Sequence, residues 1–175
     1  MNSSSSAISR RRAPDAVDGV LERSLESALL VAHPGHELRL HRWLELEKPL
    51  TFVLTDGSGH GGESRLASTR RILDDAGCEP ASVFGRWTDR EAYRIIIEGD
   101  VDAVKAVVVE VADALARRGV RRLASDAIEG FNAVHDLCYV IAECAAAQVG
   151  RRQSAAVQHV VFPLEAAPSS AVAGT

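Results

Sequence analysis

Aromatic residues make up only 5% of the 175 residues, and there are three cysteines. Cys78, Cys138 and Cys144 fall in no CxxC arrangement. An odd number of scattered thiols, with no secretory leader before them, points to a reducing cytoplasm rather than a disulfide framework. Cys138 and Cys144 sit in an apolar helical stretch and read as small buried hydrophobes. No apolar run approaches the roughly 18 residues that a membrane span needs. Ser3–Ser6 and Arg10–Arg12 at the start precede no apolar core, so no secretory signal is expected. The net charge is −4, and the basic pair Arg151–Arg152 does not reverse it, so a nucleic-acid partner is not expected. Charged residues at 25% and apolar residues at 46% are the proportions of an ordinary folded domain. The two tryptophans, Trp43 and Trp87, read as packing residues.

Residues 1–24 are expected to be a disordered segment, 25–164 one domain, and 165–175 a loose Ala-, Ser- and Pro-rich tail. Within the domain, short apolar runs alternate with helical periodicity. Strands are expected at Ala28–Val31, Thr51–Leu54, Ser82–Phe84, Val120–Ser125 and Ala155–Leu164. Helices are expected from His36 to Glu47, stopped by Pro49, and from Arg65 to Ala76, closed by Gly77. Others run from Glu91 to Glu98, from Asp102 to Arg118 closed by Gly119, and from Asn132 to Val149. In the helix from Asp102, Val104, Val107, Val108, Val111, Ala112 and Leu115 recur at helical spacing. Such alternation predicts βαβ units. The expected fold class is therefore α/β: a single Rossmann-like three-layer domain with a mainly parallel sheet of about five strands. In such sheets chemistry gathers beyond the carboxyl ends of the strands.

Unusual polar residues follow three of those strands. After the first comes His33-Pro34-Gly35-His36-Glu37. Two imidazoles three residues apart at a strand-to-helix turn can converge on one point, and neutral imidazole is the commonest metal ligand. The bland alternative is one His at the helix start and the other in solvent. After the fourth strand, Asp126, Glu129, His135 and Asp136 crowd one turn. An acid such as Asp136 is also at home in a first helical turn. After the second strand, Asp56–Gly62 is either a mobile connection or a substrate loop. It lacks the Gly-Lys-Ser/Thr ending of a P-loop, and no Gly-x-Gly-x-x-Gly follows the first strand, so a nucleotide-binding module is the weakest of the readings. Arg65 can hold a polar or anionic substrate group or be a solvated helix charge. His60 can touch substrate or stand exposed. His41 reads as a surface residue, and His159 as structural.

Over Leu29–Leu164 the chain resembles the LmbE-like, or PIG-L, family of zinc-dependent N-acetylglucosamine-type deacetylases. Ala32-His33-Pro34-Gly35-His36-Glu37 occupies the place of that family's Ala-His-Pro-Asp-Asp-Glu motif. Thr55-Asp56-Gly57 matches its Thr-x-Gly turn, Arg65 and Ala76-Gly77 match the following helix, and His135 matches its distal ligand. The resemblance implies that His33 and His135 hold zinc, with His36 at the position of the second Asp, also a ligand. Gly35 stands where the family carries its general base. The resemblance further implies deacetylation of an N-acylated amino sugar or a small natural-product intermediate. Glu129 or Asp126 is then expected to handle the proton, with Asp136 and Glu37 supporting the ligands. Asp56, Arg65 and His60 are expected at the substrate. The alternative is a metal-bearing member without hydrolysis, serving as a binding or partner subunit. The chain is short for the family, so a homo-oligomer that completes the pocket is a further expectation.

Overall fold

The computed structural model describes residues 26–153 and 156–164. The expectations for residues 1–24 and 165–175 lie outside them. Five strands are present: β1 (Ser27–Val31), β2 (Leu50–Thr55), β3 (Glu79–Trp87), β4 (Arg122–Asp126) and β5 (Gln158–Phe162). They form a single all-parallel sheet in the order β3-β2-β1-β4-β5. The helices are α1 (His41–Glu47), α2 (Leu66–Ala76), α3 (Asp89–Glu98), α4 (Val101–Arg118) and α5 (Ala133–Arg152). This is the α/β, Rossmann-like three-layer domain that the alternating pattern predicts.

The strand β1 is buried throughout and apolar from Ala28 to Val31 because it lies mid-sheet and is covered on both faces. Ala28 and Leu30 turn toward a core built with Val107, Val111 and Leu115 of α4 and Cys138, Ile141 and Ala142 of α5. Leu29 and Val31 turn to the opposite core, with Leu44 of α1 and Leu73 of α2. Trp43 and Trp87 pack against these two cores, as their sequence settings suggest. No helix of the described residues is long and apolar enough to cross a membrane.

Local chemistry explains where the elements differ from expectation. The segment after β1 is a 3₁₀ turn over His36–Leu40 before α1 begins. Gly35 precedes it in a left-handed conformation with no side-chain cap, and the backbone closes into i→i+3 bonds, His36 N–H to the His33 carbonyl and Leu38 N–H to that of Gly35. β3 is far longer than Ser82–Phe84. Its Pro80 weakens the sequence signal, yet an edge strand tolerates proline. α3 starts two residues early because Thr88 caps it: the Thr88 hydroxyl accepts from Glu91 N–H while the Glu91 carboxylate takes Thr88 N–H. Cys144, expected to be buried, faces solvent on α5, whereas Cys138 is buried.

Sheet order reverses at β1. The chain runs outward through β2 and β3, then returns to the other side for β4 and β5. That reversal opens a crevice beyond the carboxyl ends of β1 and β4. His33 and Asp126 lie at its edges.

Candidate metal centre

His33 and His36 leave the turn after β1, and His135 enters from the first turn of α5. The His33–His36 and His33–His135 ring centres are each 5.2 Å apart, and those of His36–His135 are 4.8 Å apart. Residues about a hundred positions apart in sequence thus share one corner of the crevice. Phe131 closes one side, with its ring 5.6 Å from that of His135.

Each imidazole has a carboxylate on its Nδ1 side. His33 Nδ1 lies 3.0 Å from Asp89 Oδ1 and 2.8 Å from the Thr55 hydroxyl. His36 Nδ1 lies 2.9 Å from Asp126 Oδ2, which also accepts from Ala32 N–H at 2.8 Å. His135 Nδ1 is 3.7 Å from Glu129 Oε2. A carboxylate only accepts, so the Nδ1 atoms of His33 and His36 carry the proton and their Nε2 atoms carry the lone pair. Among the described residues none of these Nε2 atoms has a hydrogen-bond partner.

Burial lowers the His33 pKa to about 4, and the nearby His36 and His135 add to the shift against the opposing pull of Asp89. Burial, then His36, also lowers His135. At neutral pH both rings are uncharged, as a metal ligand must be. Burial pushes the Asp89 carboxyl up, but bonds from the Thr55 hydroxyl, Gly59 N–H and His33 outweigh it and hold it below the usual range.

The donor set suits zinc by its chemistry. At a usual Zn–N distance of about 2.1 Å and tetrahedral angles, three imidazole centres lie roughly 5 Å apart; the observed separations match that spacing. Two buried polar atoms beside the rings, Asp126 Oδ1 and His135 Nδ1, have no hydrogen-bond partner. As the side chains stand, however, no group of three or more His, Cys, Asp or Glu among the described residues is arranged to hold a metal ion. The rings are gathered; their donor atoms are not yet turned to a common point.

The remaining expected site residues divide sharply. Glu37 is fully buried beneath the turn, where its carboxylate takes Gly35 N–H at 2.7 Å and the Thr69 hydroxyl at 2.8 Å. It therefore fixes the peptide between the two histidines. Asp136 does not reach an imidazole; its carboxylate accepts from Glu129 N–H and Gly130 N–H and shapes that loop. Asp56 is taken up in its own turn by Ser58 N–H. The loop after β2 is not a loose connection, because Gly59 N–H binds Asp89 at 2.6 Å. Arg65 is held by its Nε on the Gly57 carbonyl at 2.7 Å, and with His60 it lines a cavity of about 830 Å³ that opens on His33. His159 is structural: it bridges Ser125 and Glu143 at 2.8 and 2.7 Å. The three form a serine–histidine–glutamate chain, but Ser125 is wholly buried and no substrate can reach its hydroxyl.

Asp89 lies outside the sequence expectations, and Thr55 enters them only within the Thr-x-Gly turn rather than as a partner of His33. The available signal was positional: an acid directly after a strand, at the same rim as the histidines. The expected third strand and third helix both stop short of it, so the pattern leaves Asp89 in a connection.

Gly35 sits at φ +105°, with nothing within 4 Å of where a Cβ would be. The glycine serves conformation rather than space. Gly35→Ala is expected to cost about 1–2 kcal/mol of stability, read as a lower urea midpoint. An unchanged midpoint would show that the turn adapts freely.

No family model, curated protein or solved structure matches the chain.

Proposed function

We propose that this protein is a zinc-dependent amide hydrolase that removes an acyl group from an N-acylated amino sugar or a small natural-product intermediate. The observation that supports this reading is the gathering of three imidazole rings, their centres 4.8–5.2 Å apart, at the sheet's reversal point, each with a carboxylate on its Nδ1 side. His33, His36 and His135 would hold the ion, which would supply Lewis-acid polarisation of an amide carbonyl and acidify a water molecule. Asp89 and Asp126 keep the Nδ1 proton on His33 and His36, and with it the lone pair on Nε2. Asp126 has no exposure and its Oδ2 is held between Ala32 N–H and His36, so its role is positioning rather than proton transfer. Glu129 keeps the proton role: one oxygen takes Leu164 N–H at 2.9 Å, and the other faces His135. A cytoplasmic location belongs to the same reading and is supported by three thiols that form no disulfide.

Gly35 favours a second reading, in which the chain holds an ion but does not hydrolyse. It leaves no carboxylate where the resemblance would place the base. Elemental analysis combined with amine release from a panel of N-acetyl sugars separates the two. About one zinc per chain with hydrolysis supports the enzyme. Zinc without hydrolysis across the panel favours the binding protein, and absence of both overturns the metal centre.

A further inference from the structure

The helix α3 carries two faces. Ala92 and Ile95 point into the protein and are buried. Arg90, Tyr93, Arg94 and Ile97, spaced as i, i+3, i+4 and i+7, share another face and line the 830 Å³ cavity that begins at His33. This second face is unusual for a surface helix, because it mixes two guanidinium groups with an aromatic ring and an aliphatic side chain that is 82% exposed.

Charge in the cavity runs against the chain as a whole. The protein carries −4, but Arg65, Arg90 and Arg94 all line this space. Among the described residues Arg65 and Arg90 have no carboxylate within ion-pair distance, and Arg94 meets Glu98 at 3.9 Å across exposed side chains and feels the charge of Glu91. Asp89, the other lining acid, is already engaged by His33, Thr55 and Gly59. The local balance is therefore cationic and unspent.

Distance along the helix sets the scale. Asp89 touches His33, and at 1.5 Å of rise per residue Arg94 lies roughly 8 Å further along. That interval accommodates about one sugar ring.

We infer that the substrate of this site bears an anionic group, a phosphate or a carboxylate, about one sugar ring from the reacting amide, and that Arg94 binds it, with Arg90 reaching along the same face, while Tyr93 covers the ring between and Ile97 flanks the far side of the anion. The inference deepens the hydrolase reading and rests on it for the position of the amide. Guanidinium groups suit both oxyanions by their paired donors.

Calorimetric titration tests it with N-acetylglucosamine 6-phosphate, N-acetylglucosaminuronic acid and neutral N-acetylglucosamine; in the first two the anion stands across the ring from the acetamide. At least one anionic sugar is expected to bind tenfold or more tightly than the neutral one, and raised salt should shrink that margin. Whichever anion gains identifies phosphate or carboxylate as the group recognised. The margin should vanish in Arg90→Ala/Arg94→Ala and in the bulkier Arg90→Gln/Arg94→Gln, with the circular dichroism spectrum unchanged. Equal binding of all three sugars, or a margin that survives both double variants, overturns the inference. A margin without amine release leaves the anion site standing and removes the hydrolase reading; amine release without a margin does the reverse.

Discussion

Replacing His135 with alanine is expected to empty the site of metal and to abolish amide hydrolysis. His135 is the only one of the three histidines that comes from the second half of the chain, and its ring stands 5.2 and 4.8 Å from the other two. Without it two imidazoles remain, both from the turn after β1, and a tetrahedral ion would keep two of three protein ligands, with two of its four positions left to solvent. The loss should exceed the roughly 10–100-fold that follows removal of a supporting partner. Asp126→Asn provides that comparison. Ala32 N–H and His36 Nδ1 share Asp126 Oδ2, so an asparagine carbonyl in its place still accepts both, while the amide nitrogen falls at the unpartnered Oδ1 position and the negative charge is lost. His36 then keeps its proton on Nδ1, but the carboxylate charge that raises the basicity of its Nε2 toward an ion is gone. Zinc content and hydrolysis should fall by about 10–100-fold in Asp126→Asn and below detection in His135→Ala. Retention of stoichiometric zinc by His135→Ala would end the three-histidine proposal.

Much of this centre was legible in the chain because its parts follow strands whose apolar runs are unambiguous. Ala28–Val31 is solidly buried, so the position of His33 beyond its carboxyl end was fixed by pattern alone. The helix holding His135 was equally plain, from its length and apolar content. What stayed hidden was pairing across space. Asp136 and Glu129 are equally acidic and both near His135 in sequence, yet loop closure turns Asp136 to backbone N–H groups and Glu129 to the ring. Asp89 belongs to an edge strand's exit, where Pro80 and alternating exposure blur the period. The tight turn over His36–Leu40 depends on one left-handed glycine, and a helical pattern cannot reveal that. Local pattern located the elements; tertiary hydrogen bonds decided which acid serves which histidine.

The buried imidazoles also give the protein a stability that depends on pH. The His33 pKa is about 4 when folded, against 6.5 for the free side chain. Between these values the unfolded chain binds more protons than the native one, so stability rises with pH across that window. The contribution is complete above about pH 6.5 and declines as the pH falls toward 4. For His33 alone the loss between pH 7.5 and 5 is about 2 kcal/mol, and His135, lowered in the same direction, adds to it. The His33 side chain is only 10% exposed, so solvent screens little of this effect. Asp89 sits against His33 and works in a separate window: its depressed pKa contributes stability that is lost only at lower pH. Urea unfolding in the presence of a chelator, at pH 7.5 and pH 5, reads the difference without metal. The wild type should lose about 2 kcal/mol or more on acidification, and His33→Gln, which keeps a polar side chain without a titrating group, should lose markedly less. A wild type with equal stability at both values, or a variant with the full wild-type slope, would mean that protons reach these rings as freely in the folded protein as in the unfolded chain.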